Sequence, residues 1–201
     1  MQHTLYLLRH GELETQQVLA GSTDFSLSSY GLQQLQEVAH KLPEIHTIFS
    51  SPLSRCQHFA AIFAQEQGLM LDVSCLLKEM DFGDWDGLPF ADLWKNTQNN
   101  KVGIGDFWQN PWENTPPNGE TMHSFTLRVD QWWQQWLKAM PQGNSLVVTH
   151  AGVIKHLLAR IVGLDVKTNN QLSVFDVPYA GLIKIEVYFD ERHQPFPRII
   201  F

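Results

Sequence analysis

The sequence predicts an α/β fold, a three-layer sandwich in which a mostly parallel sheet is covered by helices on both faces. Three observations carry this expectation. Short apolar runs of the kind that strands buried on both faces require recur at residues 4–9 (TLYLLR), 47–50 (TIFS) and 145–149 (SLVVT). Each is followed by a segment with helical apolar spacing, and alternating strands and helices imply parallel pairing. The 201 residues, 43% of them apolar, suffice to bury one sizeable core. A single domain over residues 1–201 is expected, because no repeat, low-complexity tract or linker divides the chain.

The elements follow in order. The first strand stops at His10-Gly11, and a polar loop runs through Gly21-Ser22-Thr23-Asp24. Leu32, Leu35, Val38, Ala39 and Leu42 then mark one helix face, closed by Pro43. The second strand leads into Ser51-Pro52, a helix start, and into Phe59, Ala60, Ile62 and Phe63 before Gly68. Residues 72–118 are dense in turn signals and scattered aromatics, and read as an irregular insertion or lid. From 119 to 140, Phe125, Val129, Trp132, Trp133, Trp136 and Leu137 form an apolar stripe, most simply a core-packing face. The third buried run ends at His150-Ala151-Gly152 and enters a helix through Arg160. Residues 172–177 and 182–189 read as closing strands joined by a turn at Pro178-Tyr179-Ala180-Gly181.

Composition excludes several classes. With 14 Lys and Arg against 21 Asp and Glu, the formal charge is -7, the wrong sign for a general nucleic-acid surface. Aromatics at 11% and charge at only 17% exclude whole-chain disorder. No apolar run reaches membrane-spanning length and no secretory leader is recognisable, so no membrane partner and a cytoplasmic location are expected. Cys56 and Cys75 form no disulfide framework and read as buried apolar side chains. Nine histidines include no metal-binding spacing, so neither a metal nor another cofactor is called for.

Open α/β sheets bind ligands beyond the carboxyl ends of their strands. Three such ends carry related residues: Arg9-His10-Gly11-Glu12, Ser50-Ser51-Pro52-Leu53-Ser54-Arg55 and Thr149-His150-Ala151-Gly152. Two arginines and two histidines would converge there, a set suited to a small phosphate monoester. Arg9 and Arg55 offer forked, permanently charged donors to phosphate oxygens. A neutral His10 can attack phosphorus, provided its other ring nitrogen meets an acceptor such as a backbone carbonyl. His150 and the backbone N–H groups of the next helix, from Ala151 onward, would stabilise charge in the transition state. The leaving oxygen needs a proton, for which Glu79 is the candidate, its carboxyl held protonated by apolar neighbours and the phosphate charge. Spacing alone leaves Asp81 and Asp84 as rivals.

These residues resemble the histidine phosphatase superfamily, which includes the cofactor-dependent phosphoglycerate mutases and many phosphatases. The resemblance rests on LLRHGE (7–12), GSTDFSLSSYG (21–31), SSPLSR (50–55), KEMDFGDWDG (78–87), PNGET (117–121) and VVTHAG (147–152). It implies a phosphoglycerate mutase-like fold, a phosphorylated His10, Glu79 as proton donor, and a phosphate pocket completed by Arg9, Arg55 and His150. Within the superfamily, the compact length and the EMDFGDWDG stretch are most similar to the α-ribazole-5′-phosphate phosphatases of cobalamin nucleotide-loop assembly. Two substrate-side positions depart from common family usage: Gln16 stands where Asn is frequent, and Ser22 where Arg is frequent.

The alternatives are a broad-range or sugar-phosphate phosphatase, a mutase, and a non-catalytic binding module. Family mutases are usually longer, and a dead module would have lost His10, Glu79 or His150, all present here. Trp85, Trp94, Trp108 and Trp112 are candidates to stack on a base-like ring, with packing the plainer role for each.

Overall fold

A six-stranded sheet of order β3-β2-β4-β1-β5-β6 organises the chain, seen in a computed structural model that describes residues 2–95, 102–164 and 170–201. Its strands are β1 (Gln2–Arg9), β2 (Thr47–Ser50), β3 (Leu71–Val73), β4 (Asn144–Thr149), β5 (Leu182–Phe189) and β6 (Pro195–Ile200). The pairs β2–β3, β2–β4 and β1–β4 are parallel, while β5 runs antiparallel to both of its neighbours. Strands alternate side chains between the two faces. Leu5, Leu7 and Val147 therefore enter one apolar cluster, and Leu8, Leu146 and Val148 the other.

Helices cover both faces, completing the three layers. On one side pack α1 (Ser29–Ala39) and α2 (Ser54–Gln67), through Leu35, Phe59, Ala60 and Phe63. The Ser28 hydroxyl caps α1 by accepting from Gly31 N–H, and α2 ends at Gly68, whose φ of 65° is left-handed. On the other side lie α5 (Met122–Ala139) and α6 (Ala151–Ile161). The tryptophan stripe packs as its spacing implies, with Trp132, Trp133 and Trp136 buried, each contributing about 2 kcal/mol of apolar transfer. Trp136 also donates its Nε1–H to Ser145 Oγ at 3.2 Å.

Residues 72–118 contain two short 3-10 turns, Cys75–Leu77 and Gly83–Trp85, and two six-residue helices, α3 (Phe90–Lys95) and α4 (Ile104–Gln109). Residues 96–101 of this segment lie outside the described residues. Its Leu77, Phe82, Leu93, Ile104 and Phe107 are buried in the cluster formed by α5 and α6.

Two readings need correction, and the edge strands β3 and β6 went unread. Residues 172–177 are not a strand: Asn170 Oδ1 accepts from Leu172 N–H and starts a single helical turn, α7 (Gln171–Val174). β6 went unread because Pro195 and Pro197 argue against a strand, yet an edge position tolerates them. Cys75, expected inside, is exposed, because it opens a turn beyond the edge strand β3, whereas Cys56 is fully buried. Among the described residues no helix is long and apolar enough to cross a membrane.

Candidate active site

Strand register assembles the site. Arg9 pairs with Thr149, and Ser50 with Val148, so His10, Ser51 and His150 each leave the sheet at the same edge. His10 N–H donates to Thr149 O at 3.0 Å, and Ser51 N–H to Val148 O at 3.0 Å. The two imidazoles lie with ring centroids 5.3 Å apart. Gly11 permits the turn that follows: a Cβ there would sit 2.0 Å from Gly31 O at the start of α1.

His10 is buried, and its Nδ1 lies 2.8 Å from Gly11 O. A carbonyl only accepts, so Nδ1 carries the proton and Nε2 keeps its lone pair. Burial, then the charges of Arg55 and Arg9, push the imidazole well below its ordinary pKa, which keeps it neutral. His150 is fully buried and likewise held low, by burial first and Arg55 next. Its ring is engaged on both sides. Arg55 Nε–H donates to Nδ1 at 3.2 Å, leaving Nε2–H to donate to Ser51 Oγ at 2.7 Å.

Both arginines are placed by backbone carbonyls. Arg55, fully buried, donates through Nη1 to Thr23 O at 2.7 Å and through Nη2 to Gly21 O at 2.5 Å. The N–H side of the same loop is held by the Asp86 carboxylate, which accepts from Gly21, Ser22 and Thr23. Burial pushes Asp86 up, but hydrogen bonds from Thr23, Ser22 and Phe82 outweigh it and leave the carboxyl below its ordinary value. Arg9 donates to Val177 O at 2.6 Å and lies 4.1 Å from the centroid of Tyr179, while its buried Nε has no protein partner. Burial lowers the Arg9 pKa. Among the described residues neither arginine is in a salt bridge, so Arg9 in the cavity wall and Arg55, fully buried, bring two desolvated cations to the site, a setting that favours an incoming anion.

Glu79 reaches the site from the 72–118 segment. Its Oε1 accepts from Met80 N–H at 3.0 Å and its Oε2 from Gly152 N–H at 2.9 Å, in the first turn of α6. This contact requires glycine, since a Cβ at 152 would stand 2.3 Å from Oε1. Asp81 and Asp84 are exposed and occupied in a surface turn, by Gly83 N–H and the Asn118 amide respectively.

A cavity of about 300 Å³ joins these groups. Arg9, His10, Glu79 and Ala151 line it, with Phe82, Phe90, Trp108 and Phe125 as an aromatic wall and Lys155, Asp176 and Tyr179 at its polar side. Arg55 and His150 lie behind this lining. Gln16 is exposed and donates to Glu12 Oε1, and Ser22 turns to Asp86, so neither lines the cavity. Of the four tryptophans, Trp108 lines it, whereas Trp85 and Trp112 pack on the core and Trp94 is more than half exposed. Sequence reasoning missed Tyr179, Lys155 and Asp176. The turn at 178–181 was legible, but not that Ala180 N–H donates to His10 O and thereby folds Tyr179 over Arg9.

Parallel strands ending in a shared anion-seeking cavity, flanked by helices on both faces, define a phosphate-handling α/β protein. The chain belongs to the histidine phosphatase superfamily (branch 1), whose profile matches residues 5–194. It is 30% identical over 165 residues to the adenosylcobalamin/alpha-ribazole phosphatase of Escherichia coli (strain K12), covering 80% of this chain and 79% of that one. The alpha-ribazole phosphatase from Shigella flexneri has a TM-score of 0.79 and 26% identity, over 98% of this chain and 95% of that one. The mycobacterial glucosyl-3-phosphoglycerate phosphatase has a TM-score of 0.84 over 99% and 97%, and at 22% identity it speaks to the fold alone.

Proposed function

We propose that the protein is a phosphatase that hydrolyses a small phosphate monoester through a phosphohistidine at His10, with α-ribazole 5′-phosphate as its substrate. The observation that carries the reaction is the tautomer of His10: Nδ1–H is tied to Gly11 O, and the neutral Nε2 belongs to a cavity it shares with Arg9 and Glu79. In the first step Nε2 bonds to phosphorus as the ester P–O bond breaks, and the leaving oxygen takes a proton from Glu79. In the second, water attacks phosphorus and gives a proton to the Glu79 carboxylate, the P–N bond breaks, and inorganic phosphate leaves. Arg9 and Arg55 hold the phosphoryl oxygens. The first-turn N–H of Ala151 adds helix-terminus stabilisation, and His150 keeps Arg55 aimed.

Two observations support the substrate. Both alpha-ribazole phosphatases compared above are similar over most of their length. The aromatic wall of Phe82, Phe90 and Trp108 suits a flat heteroaromatic ring attached to the phosphorylated sugar. Phosphate release is to be measured by kcat/KM on α-ribazole 5′-phosphate, phosphoserine, sugar phosphates and 3-phosphoglycerate. The highest value is expected for α-ribazole 5′-phosphate. A sugar phosphate preferred about tenfold would replace that substrate, isomerised 3-phosphoglycerate would replace hydrolysis by a mutase reaction, and no release from any monoester would remove the enzyme reading.

A further inference from the structure

We infer that Arg128 and Glu120 form a positioning device for the proton donor, setting where Glu79 stands relative to the leaving oxygen. The inference rests on the assignment of Glu79 proposed above. Residues 76–79, which deliver Glu79, leave a 3-10 turn and enter no sheet ladder, so their carbonyls need partners from elsewhere. Side chains supply all four. Arg128, on α5, donates from Nη1 to Leu76 O at 3.0 Å and to Lys78 O at 2.7 Å, and from Nη2 to Glu79 O at 2.9 Å. Thr149, one residue before His150, donates its hydroxyl to Leu77 O at 2.8 Å.

The two remaining N–H bonds of the guanidinium go to Glu120. Arg128 Nε donates to Oε1 at 2.7 Å and Nη2 to Oε2 at 2.9 Å, a bidentate pair in which both side chains are mostly buried. Glu120 balances the charge and fixes the rotation of the fork, so that its other donors face the carbonyls. It also belongs to the same backbone, since its own N–H donates to Asp81 O at 2.8 Å. This gives the PNGET motif a physical task that lies outside the cavity. Lysine cannot replace the arginine here, because a single ammonium offers three donors against five bonds.

Neither residue lines the cavity that holds Arg9, His10 and Glu79, so the device acts through Glu79. Proton transfer to a leaving oxygen is sensitive to displacements on the order of 0.5–1 Å. The consequence is specific: loosening the pair should harm esters whose leaving group needs the proton, and harm least those whose leaving group departs as a phenolate.

The test measures kcat/KM, which reports the first phosphoryl transfer, for 4-nitrophenyl phosphate and for glycerol 2-phosphate. The enzymes are the wild type, Glu79→Gln, Arg128→Lys and Glu120→Gln, each with its thermal unfolding midpoint recorded. Glu79→Gln is expected to lose at least about tenfold more on the alkyl ester than on the aryl ester. Arg128→Lys and Glu120→Gln should show the same bias, about threefold to tenfold. Equal losses on both esters in these two variants, beside a biased Glu79→Gln, would overturn the inference and leave a merely structural pair. An unbiased Glu79→Gln would remove Glu79 as the acid and the inference with it. Should Arg128→Lys fail to fold, Glu120→Gln, which keeps the shape and one acceptor oxygen, decides alone.

Discussion

His10 and His150 end neighbouring parallel strands, are both buried, and face each other across 5.3 Å. Their surroundings nevertheless give them opposite characters. His10 spends one nitrogen on a backbone carbonyl and keeps the other at the cavity, while His150 spends both, on Arg55 and Ser51. The same local pattern, a buried strand followed by histidine and a small residue, yields a ring with one nitrogen left over in one place and a fully engaged ring in the other, which the function proposed above reads as nucleophile and support. Hydrogen-bond partners, rather than residue type or position in the strand, divide the labour.

The sharpest way to break this comparison is to delete each ring. His10→Ala is expected to lower turnover of any monoester by at least about a thousandfold, since among the described residues lining the cavity no other imidazole is present to replace it. Near wild-type turnover would move the nucleophile elsewhere, and trapping of the phosphorylated protein would show where. His150→Ala should cost about a hundredfold, through loss of the acceptor that aims Arg55, and should raise the inhibition constant of inorganic phosphate. A loss equal to that of His10→Ala would erase the distinction between them.

Acid sharpens the pair next, acting on both rings at once. Each folded-state pKa lies well below 6.5, whereas the unfolded chain takes up protons near that value. The unfolded state therefore binds more protons, and stability rises with pH and is lost as pH falls below 6.5. Each histidine contributes a slope of up to about 1.4 kcal/mol per pH unit. Urea unfolding between about pH 5 and pH 8 should show this slope, and His10→Gln should remove one share of it. A stability that increases on acidification would contradict the neutral, buried assignment of both rings.

The smallest effect concerns the support of His150. Ser51→Ala removes the acceptor of Nε2–H and should cost about 1 kcal/mol of stability, with about a fivefold loss of kcat/KM. No change in either would show that Arg55 alone orients the ring.

Much of this arrangement was legible in the chain. β1, β2 and β4 announce themselves because buried strands leave continuous apolar runs, with the candidate site residues just after them, and β5 because its apolar positions alternate between a buried and a more exposed face. β3 and β6 did not, because edge strands are short or tolerate proline. Lys155 sits within an apolar helix and Asp176 in a loop, where neither periodicity nor motif marks a cavity wall. Arg128 reads as an ordinary polar interruption of the tryptophan stripe, since the three carbonyls it serves lie about fifty positions away.

By itself the sequence determined the layered architecture, the family, and the residues gathered at the strand ends, because alternation and buried-strand composition are local and parallel strands must present their ends together. Only the tertiary structure decided which histidine keeps a free nitrogen, which arginine lies open to the cavity, and what anchors Glu79. Those outcomes depend on hydrogen bonds between segments remote in the chain, set by register and helix packing, which no local pattern of residues encodes.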